Sequence, residues 1–143
     1  MASQQLTDLA GTEWTGKGEL WLDSEGNKAD LCECALRVEA DQVRYTWSYE
    51  GQTKEGSFTL TEGGATWVDS WHQSEPVKCT DVPGAWGLFA IENTYAVPDN
   101  PAWGWRTILS QRPDGDLVLQ MVNLAPWGEE GRAVRMTFTR VGS

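Results

Sequence analysis

Few residues in this chain could carry chemistry: one histidine, three cysteines and nine tryptophans among 143 residues. Ser70 and His72 would share one face of a strand, a spacing that a hydrolase could use. The sequence supplies no third group to orient the histidine. It also contains no Gly-x-Ser-x-Gly, phosphate-binding glycine loop or His-x-x-x-His pattern. We therefore predict a protein that is not an enzyme.

The cysteines do not form a recognisable metal or disulfide pattern. Cys32 and Cys34 would lie on the same face of one strand, where they are poorly placed to pair with each other. Only Cys79 and His72 could complete a Cys-x-Cys metal site, and the spacings typical of zinc ligands are absent. We predict three free, buried thiols in a reducing cytoplasm and no bound metal.

Length and charge restrict the class of protein. We expect one domain over residues 1–143, with a lead-in at 1–10 and a barrel at 11–142. A chain of this length buries about 70% of its unfolded surface without needing disulfides. The net charge of −10 argues against nucleic acid and against an anionic membrane surface. No run approaches the length of a membrane-spanning helix, and Met1–Gln5 does not resemble a signal peptide, so we expect a cytoplasmic protein.

The elements that must position these residues are strands, because apolar residues recur with period two. Val43, Tyr45, Trp47 and Tyr49 give the cleanest alternation, and helical spacing is confined to Gln4–Ala10. Nine segments are evident, and a closed antiparallel meander needs an even number. The remaining strands are predicted at Thr12–Leu22, Asp30–Glu39, Thr53–Leu60, Ala65–Trp71, Gly87–Tyr95, Trp103–Gln111, Asp116–Leu124 and Arg132–Val141, with the weak stretch Pro76–Asp81 as the tenth. The predicted fold is an all-β, single antiparallel up-and-down barrel of about ten strands, with at most a short N-terminal helix.

The two ends of the predicted barrel carry a pattern that resembles a known superfamily. Trp14 follows Gly11-Thr12-Glu13 near the start of the first strand, and Arg140 lies near the end of the last. This layout resembles the calycins, which include lipocalins, fatty-acid-binding proteins and small bacterial lipocalin-like proteins. The resemblance implies that Arg140 packs on Trp14 at a closed end, in a cation–π contact of about 0.5–2 kcal/mol. Two features depart from it: lipocalins carry Gly-x-Trp, and Ser24–Lys28 is too short for a helical lid.

The opposite end is predicted to be an open mouth. Two proline-containing connections, Ala96–Ala102 and Ala125–Gly131, are expected there as long loops. Aromatic walls with a few polar groups suit a flat apolar or amphipathic molecule. We predict non-catalytic binding of such a ligand in an aromatic-lined cavity formed by Trp71, His72, Trp103, Trp105, Arg106, Asn123 and Trp127. The simpler interpretation, in which these rings only fill a small barrel, is left open.

Two other functions stay open at this point. Ten-stranded barrels that resemble calycins can bind haem through one axial histidine, so His72 could hold a haem. Alternatively, the barrel could be a structural module with a filled core that forms a homodimer through an exposed aromatic patch. Apart from that haem, no cofactor is expected.

Overall fold

The structure is a computed structural model that describes residues 4–21, 29–70, 73–82 and 88–141. Most of the described residues lie in β-strands, which are preceded by one five-residue helix. The elements are α1 (Gln4–Asp8), β1 (Thr12–Trp21), β2 (Ala29–Val38), β3 (Gln42–Tyr49), β4 (Gln52–Thr61), β5 (Gly64–Asp69), β6 (Gln73–Asp81), β7 (Phe89–Val97), β8 (Asn100–Gln111), β9 (Leu117–Leu124) and β10 (Glu130–Arg140).

Each strand pairs antiparallel with the next along the chain, and β10 pairs with β1 to close the barrel. The prediction of ten antiparallel strands is confirmed, and the weak stretch at Pro76–Asp81 lies in β6. Among the described residues α1 is the only helix, and Ser24–Lys28, where a lid was judged too long to fit, lies outside them. The parity argument succeeded because closure brings the chain ends together, with Trp14 directly opposite Arg140. We call the end where β1 begins the closed end and the opposite end the mouth.

The lead-in forms part of the core at the closed end. The Leu6 side chain of α1 is only 1% exposed and belongs to the main hydrophobic cluster. The Trp14 Nε1 donates to Thr12 Oγ1 at 2.8 Å, and that hydroxyl donates to the Leu9 carbonyl at 2.6 Å. These bonds tie the turn after α1 to the first strand. Leu6 and Trp14 therefore pack together with the core that fills this end.

The cation–π contacts found in the described part of the chain lie elsewhere than at Trp14. Trp14 is buried, whereas Arg140 is exposed. The guanidinium carbon atoms of Arg132 and Arg135 lie 4.7 Å and 5.8 Å from the Trp21 ring centroid, on the outer face of the barrel. The Trp14–Arg140 stack stays a prediction, and the structure shows only that the two residues are paired across β1 and β10.

A column of aromatic rings occupies the middle of the barrel. Tyr45 stacks on Trp47 and on Phe58, with ring centroids 5.7 Å and 5.5 Å apart. Phe58 continues the column to Trp67 at 6.1 Å, and Trp67 continues it to Trp105 at 5.7 Å. The nearly parallel, offset rings gain favourable quadrupole contacts in addition to burial. The alternation of β3, β4, β5 and β8 thus delivers rings that fill this level of the interior.

At two places in the barrel wall, neighbouring strands stop pairing before they reach the mouth. The pairing of β2 with β3 ends at Cys34 and Trp47, two residues short of the end of β3. The pairing of β6 with β7 consists of only two positions, Thr80 with Glu92 and Asp81 with Ile91, both near the closed end. At the mouth the described wall is therefore divided into two parts: one formed by β3 to β6, the other by β7 to β10 with β1 and β2.

The long loop predicted at Ala96–Ala102 is wrong. Strand β7 continues to Val97 and β8 begins at Asn100, so the connection is a tight turn through Pro98 and Asp99. Asp99 adopts a positive φ of 61°, which aspartate tolerates better than most residues. The proline in this segment marks the turn itself.

Candidate ligand-binding mouth

Two turns form one side of the mouth. The β7–β8 turn is held by the Asn100 side chain, whose Nδ2 donates to the Pro98 carbonyl at 2.8 Å. The β9–β10 turn is closed by the Ala125 amide, which donates to the Glu129 carbonyl at 2.9 Å. Gly128, at a φ of 102°, allows the chain to reverse there. Both turns are therefore short, hydrogen-bonded supports for the side chains they carry. The long loop predicted at Ala125–Gly131 is a closed turn of residues 125–129, because β10 begins at Glu130.

A pocket of about 370 Å³ lies between these two turns. Trp103 and Trp127 meet edge to face, with ring centroids 5.2 Å apart and planes at 82°. Trp127 is 65% exposed, although Trp is a residue that proteins usually bury. We call this pocket the tryptophan slot, and its lining is Val97, Asn100, Pro101, Trp103, Pro126 and Trp127.

A row of polar groups lies inside the barrel below the mouth. Asn93, Trp105 and Asn123 are aligned across β7, β8 and β9. The Tyr95 hydroxyl donates to Asn123 Oδ1, and Cys79 Sγ lies 3.6 Å from Asn93 Oδ1. Burial raises the pKa of Tyr95, although the hydrogen bond to Asn123 lowers it in part. The Tyr95–Asn123 bond links β7 to β9 across β8, and the Cys79–Asn93 contact links β6 to β7 at this level.

A buried acid lies deeper, against the aromatic column. Asp69 is 1% exposed and accepts a hydrogen bond from the Tyr45 hydroxyl. That hydroxyl accepts a bond from Trp67 Nε1 at 2.9 Å. Burial, with the nearby Asp69 carboxylate, raises the pKa of Tyr45 well above its ordinary value, so this hydroxyl stays protonated. The three side chains form a satisfied polar network whose rings are packed on both sides.

Arg106 lies on the outer face of the barrel, because the alternation that turns Trp105 inward turns Arg106 outward. Its guanidinium pairs with Glu92 at 2.7 Å and with Glu130 at 3.3 Å. The Glu92 hydrogen bond is the main reason that the pKa of Arg106 is raised. The structure therefore does not bring Arg106 to the interior or to the tryptophan slot.

The other predicted site residues divide into three groups. Trp103 and Trp127 meet in the slot, whereas Trp105 and Asn123 lie together one level deeper. Trp71 and His72 fall outside the described residues, so their predicted roles stay predictions. Sequence reasoning missed Tyr95 and Val97, although the period-two pattern of β7 could have placed Tyr95 on the face of Asn93.

The cysteines are buried and unpaired with one another. Burial raises the pKa of Cys34 to about 12 and that of Cys79 to about 11, so both thiols are protonated at neutral pH. Within the described ranges, no cluster of three or more histidine, cysteine, aspartate or glutamate side chains has an arrangement that could bind a metal ion.

The chain was compared with models of protein families, with curated proteins and with solved structures, and none of them matches it. The closed ten-strand barrel is compatible with a calycin-like fold. Among the residues described, no helix has the length and apolar character needed to cross a membrane.

Proposed function

We propose that this protein binds a small apolar or amphipathic molecule at its mouth, in the tryptophan slot, without catalysis. One observation carries this proposal: a largely exposed Trp127 is held edge to face against Trp103 over an apolar pocket. A monomeric protein gains nothing in stability from exposing such a ring. An occupant that covers it would recover the hydrophobic free energy.

The size of the pocket fits a small occupant. A volume of about 370 Å³ lies at the lower end of the range for small-molecule sites. Covering roughly 100 Å² of indole and proline surface, together with a similar area of the ligand, would contribute about 5 kcal/mol. The costs of immobilising a ligand offset part of this gain, so a minimal probe should bind with a Kd on the order of 1 mM. A larger natural ligand that also reaches beyond the slot would bind more tightly.

The barrel wall and the free cysteines each support a broader part of the proposal. Its closed antiparallel wall, with aromatic side chains at one end, agrees with a lipocalin-like binding protein. The free thiols at Cys32, Cys34 and Cys79 favour a reducing, cytoplasmic location.

Neohexyl alcohol, which combines a compact apolar head with one hydroxyl, is a suitable probe. The nine indole N–H signals in a ¹H–¹⁵N spectrum would be followed during a titration. We expect saturable shifts of the Trp103 and Trp127 signals and no shift of Trp21, which lies on the outer face. Trp127→Ala should weaken binding at least five-fold, whereas the matched Trp21→Phe variant should bind normally.

Two results would overturn the proposal. The first is a linear, non-saturating response of Trp103 and Trp127 across the soluble range of the probe. The second is unchanged affinity in a folded Trp127→Ala variant, because the ring would then contribute nothing to binding.

A further inference from the structure

The turns around the mouth carry only negative charge within the described part of the chain. The β3–β4 turn contains Glu50, the β7–β8 turn contains Asp99, and the β9–β10 turn contains Glu129. No lysine or arginine occurs in the described turns at this end, at residues 50–51, 98–99 and 125–129. The charged side chains on these described turns are therefore all carboxylates, which favour a cationic ligand.

Two of these acids flank the slot itself. Asp99 directly precedes Asn100, which lines the slot, and its turn is fixed by the Asn100 side chain. Glu129 lies in the same closed turn as Trp127, because its carbonyl accepts the Ala125 amide. Asp99 and Glu129 thus belong to the two hydrogen-bonded turns that carry lining residues of the slot.

The lining of the slot supports the same ligand class. Indole has the strongest cation–π attraction of any side chain, and Trp127 offers an exposed ring. No basic side chain lines the slot to compete for that ring or to bind an anion. An aromatic surface next to flanking carboxylates is the chemistry that binds organic ammonium ions.

We propose that the tryptophan slot selects a small organic cation, such as a quaternary or protonated amine with an apolar group, over its uncharged and anionic counterparts. This inference rests on the proposed function, since it assigns a ligand class to the same pocket. The ammonium head lies over the Trp127 ring with Asp99 and Glu129 beside it, and the apolar group contacts Pro101 and Pro126.

Three probes of nearly equal shape separate charge from size. Choline is the cationic isostere of neohexyl alcohol, and tert-butylacetate is an anionic counterpart with the same apolar head. We expect choline to bind about ten-fold more tightly than neohexyl alcohol at low salt, and tert-butylacetate to bind most weakly. Because the rim charges are exposed, the preference for choline should fall to about three-fold at high salt.

A matched pair of variants tests whether the rim supplies the selectivity. The Asp99→Asn, Glu129→Gln double variant removes two charges at the mouth, and asparagine still tolerates the positive φ at position 99. The control, Asp41→Asn with Glu62→Gln, removes two charges from closed-end turns. We expect choline affinity to fall about three- to five-fold in the mouth variant and by less than 1.5-fold in the control.

The outcomes distinguish this inference from the proposed function. If none of the probes binds, both fail. If neohexyl alcohol binds as tightly as choline, the slot is a binding site and the cation selectivity is wrong. If both double variants weaken choline equally, net charge is responsible, and the assignment to Asp99 and Glu129 is overturned.

Discussion

The Tyr45 hydroxyl donates a hydrogen bond to the Asp69 carboxylate across an intervening strand. Tyr45, Gly56 and Asp69 are aligned on β3, β4 and β5, so the tyrosine ring must pass over Gly56 to reach the acid. A Cβ atom at position 56 would lie 2.3 Å from the hydroxyl oxygen of Tyr45. Because Gly56 has no side chain, the Tyr45 hydroxyl can reach the buried Asp69 carboxylate and donate a hydrogen bond to it.

Gly56→Ala should destabilise the protein severely. The added methyl group would push Tyr45 off Asp69, which combines overpacking with the loss of a buried hydrogen bond, and we expect a loss of about 3–5 kcal/mol. Urea unfolding followed by tryptophan fluorescence measures it. Gly131→Ala is the matched control, because its new Cβ would meet only the Asn123 carbonyl at 3.9 Å. Equal stability of the two variants would contradict the role given to Gly56.

Stability should fall at alkaline pH. Tyr45 and Cys79 have raised pKa values when folded, from 10.0 and from 9.0 to about 11 respectively. Above pH 9 for the thiol and above pH 10 for the phenol, the unfolded chain releases a proton that the folded chain retains. Between its pKa in the unfolded chain and its pKa in the folded protein, each such group lowers the free energy of unfolding by about 1.4 kcal/mol per pH unit. The stabilisation that the group provides is fully present below its unfolded pKa.

The measurement for this prediction is urea unfolding at a series of pH values from 8 to about 11. Cys79→Ala should lessen the decline that begins near pH 9, to which Cys34 and Cys32 also contribute, and Tyr45→Phe should lessen the part that begins near pH 10. An unchanged slope in both variants would assign the alkaline loss to other groups.

Amide hydrogen exchange should reveal the separation of β6 from β7. On β6, alternate amides between Gln73 and Cys79 face a neighbouring strand with which they do not pair. We expect those amides to exchange at least a hundred-fold faster than the amides of residues 104–109 in β8, which pair with β7 on one side and β9 on the other. Exchange measured by NMR at single residues tests this, and uniform protection along β6 would show that the two strands are joined in solution.

Arg106→Gln should leave ligand binding unchanged. The guanidinium lies on the outer face with Glu92 and Glu130, away from the tryptophan slot. Because the ion pairs are partly exposed, their loss should cost less than about 1 kcal/mol. Affinity for tert-butylacetate, the probe that an arginine would favour, should change less than two-fold. A larger weakening would restore the role that the sequence suggested for Arg106.

The sequence predicted the strands well because each is half-buried and therefore alternates. The pattern of Tyr45 and Trp47 alone places β3, and the need for an even number of strands identified β6. Alternation also fixes Trp105 inward and Arg106 outward once β8 is recognised. The ion pairs of Arg106 depend on cross-strand register, which no local pattern encodes.

The candidate site was predictable only in part, because the sequence pattern places residues along strands but does not show which distant residues meet. Strand parity brought Trp103 and Trp127 to one end of the barrel, and the structure places them in contact. The passage of Tyr45 over Gly56 and the insertion of Leu6 into the core could not be predicted, because both depend on three-dimensional neighbours that are distant in sequence.

The two places where neighbouring strands separate have a mechanical consequence. A tube cut along part of its wall on two sides behaves like a pair of jaws joined at the uncut end. Here the uncut end contains Leu6 and Trp14, and the cuts run between β2 and β3 and between β6 and β7. Tilting the four-strand jaw relative to the six-strand jaw would act on the side-chain bonds that span the two gaps, from Tyr49 to Asp30 and from Cys79 to Asn93. Trp103 and Trp127 both belong to the six-strand jaw, so the tryptophan slot would keep its shape while the bore beside it widens or narrows.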